Sequence, residues 1–227
     1  MTETQFAGFW QLLRMLSEAE LLPYVLVIGS WAEYLYAQAG LLPGYGASLR
    51  TLDVDFLIRN QRKPSKKANI LQFAKEAGYL IAHDALTQAT KLFTQSGLEV
   101  EFLIAQQGSG ENAVLSTNMG VNAQSLTHLG MLRDHAVTVE LFNMHISVPC
   151  PEAYVLHKCV INKKRGSKSG KDRQSIKTLL DYVNTDPMIR IYCGLSKREK
   201  AAALDALENL GDEKGQLTAQ MLRLSAQ

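Results

Sequence analysis

Residues 51–58 read TLDVDFLI and residues 98–104 read LEVEFLI. Each is an apolar run interrupted by acids spaced two apart: Asp53 and Asp55 in the first, Glu99 and Glu101 in the second. Side chains of a strand alternate, so each pair projects from a single face and can converge on one point. Like charges held together away from bulk water are costly unless something positive lies between them. A divalent cation answers that need, since Mg2+ takes one or two carboxylates together with substrate phosphates. A third carboxylate from a neighbouring strand would make a three-acid site for one or two ions. Two ions about 3.5–4 Å apart clamp the attacking and leaving oxygens of a phosphoryl transfer. Glu101, between Val100 and Phe102, is the candidate for the third corner, with Glu99 the alternative. The same alternation is also the pattern of a half-exposed strand whose acids face water.

A third stretch points the same way. In VIGSWAEYLY (27–36) an apolar strand ends at Gly29-Ser30 and passes directly into a helical pattern. Backbone N–H groups at a helix start favour a phosphate, the Ser30 hydroxyl adds a donor, and Gly29 permits close approach. Taken alone, this is also an ordinary strand-to-helix turn with Ser30 as its cap.

The elements that must position these groups follow from periodicity. Phe6, Phe9, Trp10, Leu13 and Leu16 predict an amphipathic helix over 4–19, closed by Pro23. Strands are expected at 24–28 and 52–58, with a helix at 31–39 and a glycine-rich loop at 40–50 between them. A helix ending near Ala77 has Gly78 as its C-cap, and strands follow near 79–83, 90–95 and 98–104. Residues 106–124, rich in Gly, Asn and Ser, read as loop, and AVTVELF-NM-HISVP as a hairpin. Beyond Pro149 and Pro151 only helical patterns remain: 151–164, 172–183, 187–193, 197–210 and 214–225. The expected class is α+β, with a mixed sheet flanked by helices over 1–150 and a helical bundle over 151–227.

The order of these pieces resembles the nucleotidyltransferase superfamily of the DNA polymerase β type. That pattern is a strand ending in Gly-Ser, an acid-x-acid strand, and a third acid on a later strand: VIGS, DVD (53–55) and VEF (100–102) here. Arg50 and Thr51 ahead of the acids are similar to the branch containing AbiE-type toxins and related bacterial nucleotidyltransferases. That branch carries a later helical lysine and an aspartate at a helix start, which fall on Lys158 and Asp172 of PEAYVLHKCVINKKRGSKSGKDRQSIKTLL. The third acid departs from the more usual Asp, and the 40–50 segment is longer than in minimal members. The resemblance implies that Asp53, Asp55 and Glu101 hold Mg2+ (or Mn2+) against a nucleoside triphosphate such as ATP. Gly29, Ser30, Arg50 and Thr51 would bind the phosphates. Lys158 would offset charge on the leaving pyrophosphate, and Asp172 would orient Lys158 or the acceptor. The acceptor hydroxyl would belong to tRNA or other RNA, a protein or a small molecule. A toxin with a cognate antitoxin, or a phage-defence component, is a setting the resemblance allows. The alternative is a catalytically weak nucleotide-binding or protein-interaction module on the same fold.

Composition sets bounds. The 227 residues are 46% hydrophobic and 20% charged with a net charge of +2, which neither requires nor opposes a nucleic-acid partner. No stretch approaches the roughly 18 apolar residues of a membrane span, and MTETQFAGFW has no basic region leading into an apolar one. With three dispersed cysteines and no CxxC pair, a reduced cytoplasmic protein is expected. The run Lys163, Lys164, Arg165, Lys168, Lys171 and Arg173 is a candidate nucleic-acid contact, or simply a solvated loop. GSKSGKD (166–172) fails as a phosphate-binding loop, with three residues between its glycines and Asp where Ser or Thr is needed. His157 and Cys159 lack a second pair to make a zinc site, and His83, His128, His135 and His145 have no evident nucleophile partner.

Overall fold

The computed structural model describes residues 1–47, 49, 51–108, 113–166 and 169–225. The chain divides into two compact units, Met1–Leu41 with Gly46–Pro149, and Leu42–Tyr45 with Cys150–Gln227. The four-residue segment belongs to the second unit because Tyr45 packs edge-on against Tyr182 at 5.3 Å and the Tyr182 hydroxyl donates to the Gly44 carbonyl at 3.3 Å.

The first unit opens with α1 (Glu3–Glu18), started by a reciprocal Thr2–Gln5 capping box and burying Phe9, Leu12, Leu13 and Leu16. Phe9 stacks on Trp31 of α2 (Ser30–Gln38) with ring centroids 4.0 Å apart. The strands are β1 (Val25–Ile28), β2 (Asp53–Ile58), β3 (Leu80–His83), β4 (Thr90–Phe93), β5 (Glu99–Ala105), β6 (Val114–Ser116) and β7 (Asn122–Leu126). They form one mixed sheet in the order β1-β2-β5-β4-β3, with β7 parallel to the far half of β5 and β6 antiparallel to β7. Helices α3 (Ile70–Glu76) and α4 (Leu129–Asp134) complete the flanks, and β8 (Ala136–Leu141) and β9 (Met144–Pro149) form a separate hairpin.

Alternation divides the central strands into two faces. Val54, Phe56 and Ile58 of β2 and Val100, Phe102 and Ile104 of β5 are buried on one, with the Phe56 and Phe102 rings stacked. On the other, Leu26, Ile28, Leu57, Leu103 and Ala105 join Leu129 and Leu132 of α4 in a buried cluster. Asp53, Asp55, Glu99 and Glu101 occupy this second face, beyond the cluster, at the starts of β2 and β5.

Three elements differ from the sequence expectation. Residues 106–124 contain β6 and the start of β7, although their composition reads as loop. In NAQSL the side chains of Ala123 and Ser125 are buried and the backbone pairs with β5, so tertiary context outweighs weak strand propensity. Helix α4, LGMLRD, is too short for a 3.6-residue period to show.

The second unit consists of α5 (Pro151–Ile161), α6 (Ser169–Leu180), α7 (Thr185–Cys193), α8 (Lys197–Glu208) and α9 (Glu213–Ser225). Helix α5 is buried almost all round and packs against α6, α7 and α8. Among the described residues no helix is long and apolar enough to cross a membrane. All three cysteines lie in this unit and none is in a disulfide. Burial pushes the Cys159 thiol up to about 12 and the Cys150 thiol up to about 11, whereas Cys193 is exposed. Thiol labelling at pH 8 is therefore expected to modify Cys193 promptly, the half-buried Cys150 slowly and Cys159 only on unfolding; prompt labelling of Cys159 in the folded protein contradicts this packing.

Candidate functional site

The acidic face is built by strand register. Strands β2 and β5 run parallel with Asp53 beside Glu99 and Asp55 beside Glu101. Antiparallel β4 then places Lys91 beside Glu101. The Lys91 ammonium lies 2.6 Å from Oε1 of Glu99 and 2.6 Å from Oε1 of Glu101. These hydrogen bonds, Glu101 first and Glu99 second, hold the ammonium well above its ordinary lysine range, so it is charged throughout the pH range of folded proteins. Asp53 is exposed and its backbone N–H donates to Oγ1 of Thr51 at 3.1 Å.

On the other side of β2, antiparallel β1 sets Ile28 beside Asp55, so the next residue, Gly29, meets the Asp55 carboxylate. Gly29 has φ 68° and ψ −156°, a region that only glycine enters readily. A Cβ there would stand 2.8 Å from Oδ2 of Asp55. Absence of a side chain thus allows the carboxylate to lie against the turn into α2. Ser30, half-buried, begins that helix, whose first-turn N–H groups point outward with the positive end of its dipole.

The structure brings Gly29, Ser30, Asp53, Asp55, Glu99 and Glu101 to one end of the sheet in the first unit. Arg50 lies outside the described residues. Asp53 and Asp55 supply hard oxygen donors from one strand face, a donor set that fits a single Mg2+ shared with phosphate oxygens. Glu101 meets different circumstances: its carboxylate is engaged by Lys91, and no group of three His, Cys, Asp or Glu side chains stands ready to hold a metal among the described residues. The role of Lys91 was missed from sequence. A signal was present, since a hairpin through Thr94–Gly97 carries residue 91 opposite residue 101, but only the register makes it legible.

Lys158 and Asp172 belong to the second unit, where they bond directly. Asp172, 3% exposed, accepts from Nζ of Lys158 at 3.0 Å and from Nε of Arg165 at 3.0 Å. The Lys158 ammonium also sits 4.9 Å from the centre of the Tyr154 ring. Lys158 is buried and does not lie on a solvated helix face. The basic run is partly committed within the unit as well: Arg165 is bound to Asp172 and Lys163 to Asp205 at 2.8 Å. Lys171 and Arg173 are exposed, and Lys168 lies outside the described residues.

A family profile described as "Nucleotidyltransferase" matches residues 9–188 of the chain. The fold is similar to the crystal structure of an antigenic nucleotidyltransferase-like protein from Paracoccidioides brasiliensis. The TM-score is 0.53 over 97% of this chain and 92% of that one, at 15% sequence identity. No curated protein matches the sequence.

Two outcomes follow from the geometry. Gly29→Ala is expected to destabilise the protein by about 1–3 kcal/mol in urea unfolding, while Gly46→Ala, whose Cβ would meet nothing within 4 Å, should be close to neutral. Equal effects of the two would refute the close approach of Asp55 to Gly29. Asp172→Ala removes the carboxylate that anchors the buried Lys158 and is expected to cost about 3–5 kcal/mol by the same measurement. A loss under about 1 kcal/mol, ordinary for an exposed pair, would show that Asp172 is not the buried anchor of that network.

Proposed function

The chain belongs to the nucleotidyltransferase family, and on that premise we propose a Mg2+-dependent transfer of a nucleoside monophosphate from a nucleoside triphosphate to an acceptor hydroxyl. The observation that carries this reading is the position of Asp53 and Asp55 on one strand face, with the Asp55 carboxylate against Gly29 at the start of α2. Acids for a cation and N–H donors for phosphate therefore stand side by side in the first unit. The acceptor oxygen bonds to the α-phosphorus, the bond from that phosphorus to the bridging oxygen breaks, and pyrophosphate leaves. The acceptor proton passes to a carboxylate of the acidic face or to solvent. Asp53 and Asp55 would hold Mg2+, which when bound supplies charge neutralisation to the phosphate oxygens. Gly29 and Ser30 would orient the triphosphate through backbone N–H groups and the hydroxyl, with Thr51 supporting the start of β2. Positioning and charge stabilisation of this kind supply most of the rate in phosphoryl transfer.

The finer assignments belong to the same proposal. The order of Thr51, the acid pair, Lys158 and Asp172 supports kinship with the AbiE-type toxins. By that resemblance the acceptor is RNA such as tRNA, a protein or a small molecule, and a cognate antitoxin is the expected partner. The resemblance gives Lys158 the task of offsetting charge on pyrophosphate, with Asp172 orienting Lys158 or the acceptor; the bond from the Lys158 ammonium to Asp172 supports the first of these. A second reading, a nucleotide-binding module with weak catalysis, is favoured by one observation: the third acid, Glu101, is bound to Lys91.

Labelling decides between the two. With α-labelled nucleoside triphosphates, Mg2+, total RNA and cell lysate, label is expected to move to an acceptor. γ-Labelled nucleotide should release its label as pyrophosphate. Asp53→Ala and Asp55→Ala should each lower transfer by about a hundredfold or more. No transfer to any acceptor, with nucleotide binding undiminished in both variants, would sink the enzyme reading.

A further inference from the structure

The acidic face carries four carboxylates, Asp53, Asp55, Glu99 and Glu101, and Lys91 is placed among them by register. The expectation from sequence was a third acid completing a site for one or two ions. We infer that this face is built for one divalent cation, on Asp53 and Asp55, and that the Lys91 ammonium, clamped by Glu99 and Glu101, occupies the place of a second. The inference rests on the metal-dependent reading proposed above and specifies the make-up of that site.

The geometry supports it in three ways. First, one ammonium contacts both glutamates at the same short distance, 2.6 Å, from a side chain only 26% exposed, so it is not a loose surface pair. Second, Lys91 stands directly beside Glu101 in the ladder, and Glu101 directly beside Asp55, so the ammonium and any cation held by Asp55 are near neighbours along one row. A second divalent ion on Glu101 would need ligand distances near 2.1 Å and would stand against the ammonium already held at Oε1 of the same carboxylate. Third, charge is balanced in steps. Among these five side chains, four carboxylates against one ammonium leave an excess of three negative charges, and one divalent ion lowers it to one. Lys91 is thereby a positioning residue: it fixes the Glu99 and Glu101 carboxylates and carries permanent positive charge beside the phosphate-binding end of the sheet.

Mn2+ titrated to saturation into the full chain, with free ion counted by electron paramagnetic resonance, tests the inference without reference to activity. The wild-type protein is expected to bind one Mn2+ and Lys91→Met two, because Glu99 and Glu101 are released. Lys91→Arg, which keeps the cation, should stay at one, and Lys91→Met with Glu101→Gln should return to one. Lys91→Gln serves in place of Lys91→Met if the latter does not fold. Two ions in the wild type, or one in both neutral Lys91 variants, would overturn the inference while leaving the metal-dependent reading intact. No Mn2+ bound by the wild type would overturn both.

Discussion

The parallel pairing of β2 with β5 is the constraint on which the acidic site depends. It sets Asp53 beside Glu99 and Asp55 beside Glu101, and two residues further along the same face it sets Leu57 beside Leu103. One ladder therefore produces both a buried apolar cluster and a row of like charges, separated by a single step of the strand repeat. A slip of one residue would turn the acids into the core and Val54, Phe56 and Phe102 toward the site, so burial on both faces protects the register. The site's precision is inherited from core packing, although none of its acids is itself fully buried.

What the ladder concentrates, its neighbours must neutralise. On one side β4 contributes Lys91, whose ammonium holds both glutamates. On the other, β1 ends at Gly29, whose missing side chain lets Asp55 approach the positive end of α2. The two aspartates and two glutamates are equivalent in chemistry but not in surroundings. The glutamates share the Lys91 ammonium, whereas the Asp55 carboxylate lies against Gly29 at the start of α2 and Asp53 is exposed. The environment, more than the residue type, separates the two pairs.

The second unit solves a related problem with the opposite stoichiometry. There one buried carboxylate, Asp172, receives two cations, Lys158 and Arg165. Burial of Lys158 beneath Tyr154 would be costly without that partner, since a lone ammonium out of water forfeits its hydration. The network joins α5 to the start of α6 across residues whose sequence, KKRGSKSGK, looks like a solvated basic loop. Arg165 shows that such a run can be partly committed to ion pairs within the protein.

The sequence alone determined the alternation of acids in β2 and β5, the glycine at the turn into α2, the hairpin after residue 135 and the helical character beyond Pro151. These are local matters: a two-residue period, a backbone angle open only to glycine, a tight turn, and apolar spacing along a helix. Tertiary structure decided the rest. Strand β7 was hidden by its polar composition because its stability comes from β5, a neighbour that lies far off in sequence. The partner of Glu101 was hidden because Lys91 carries no distinguishing local pattern, and only strand register places its ammonium between two glutamates. Sequence named the charges at this site; their pairing was set by which strands lie side by side, since an electrostatic interaction depends on distance in space and not on distance along the chain.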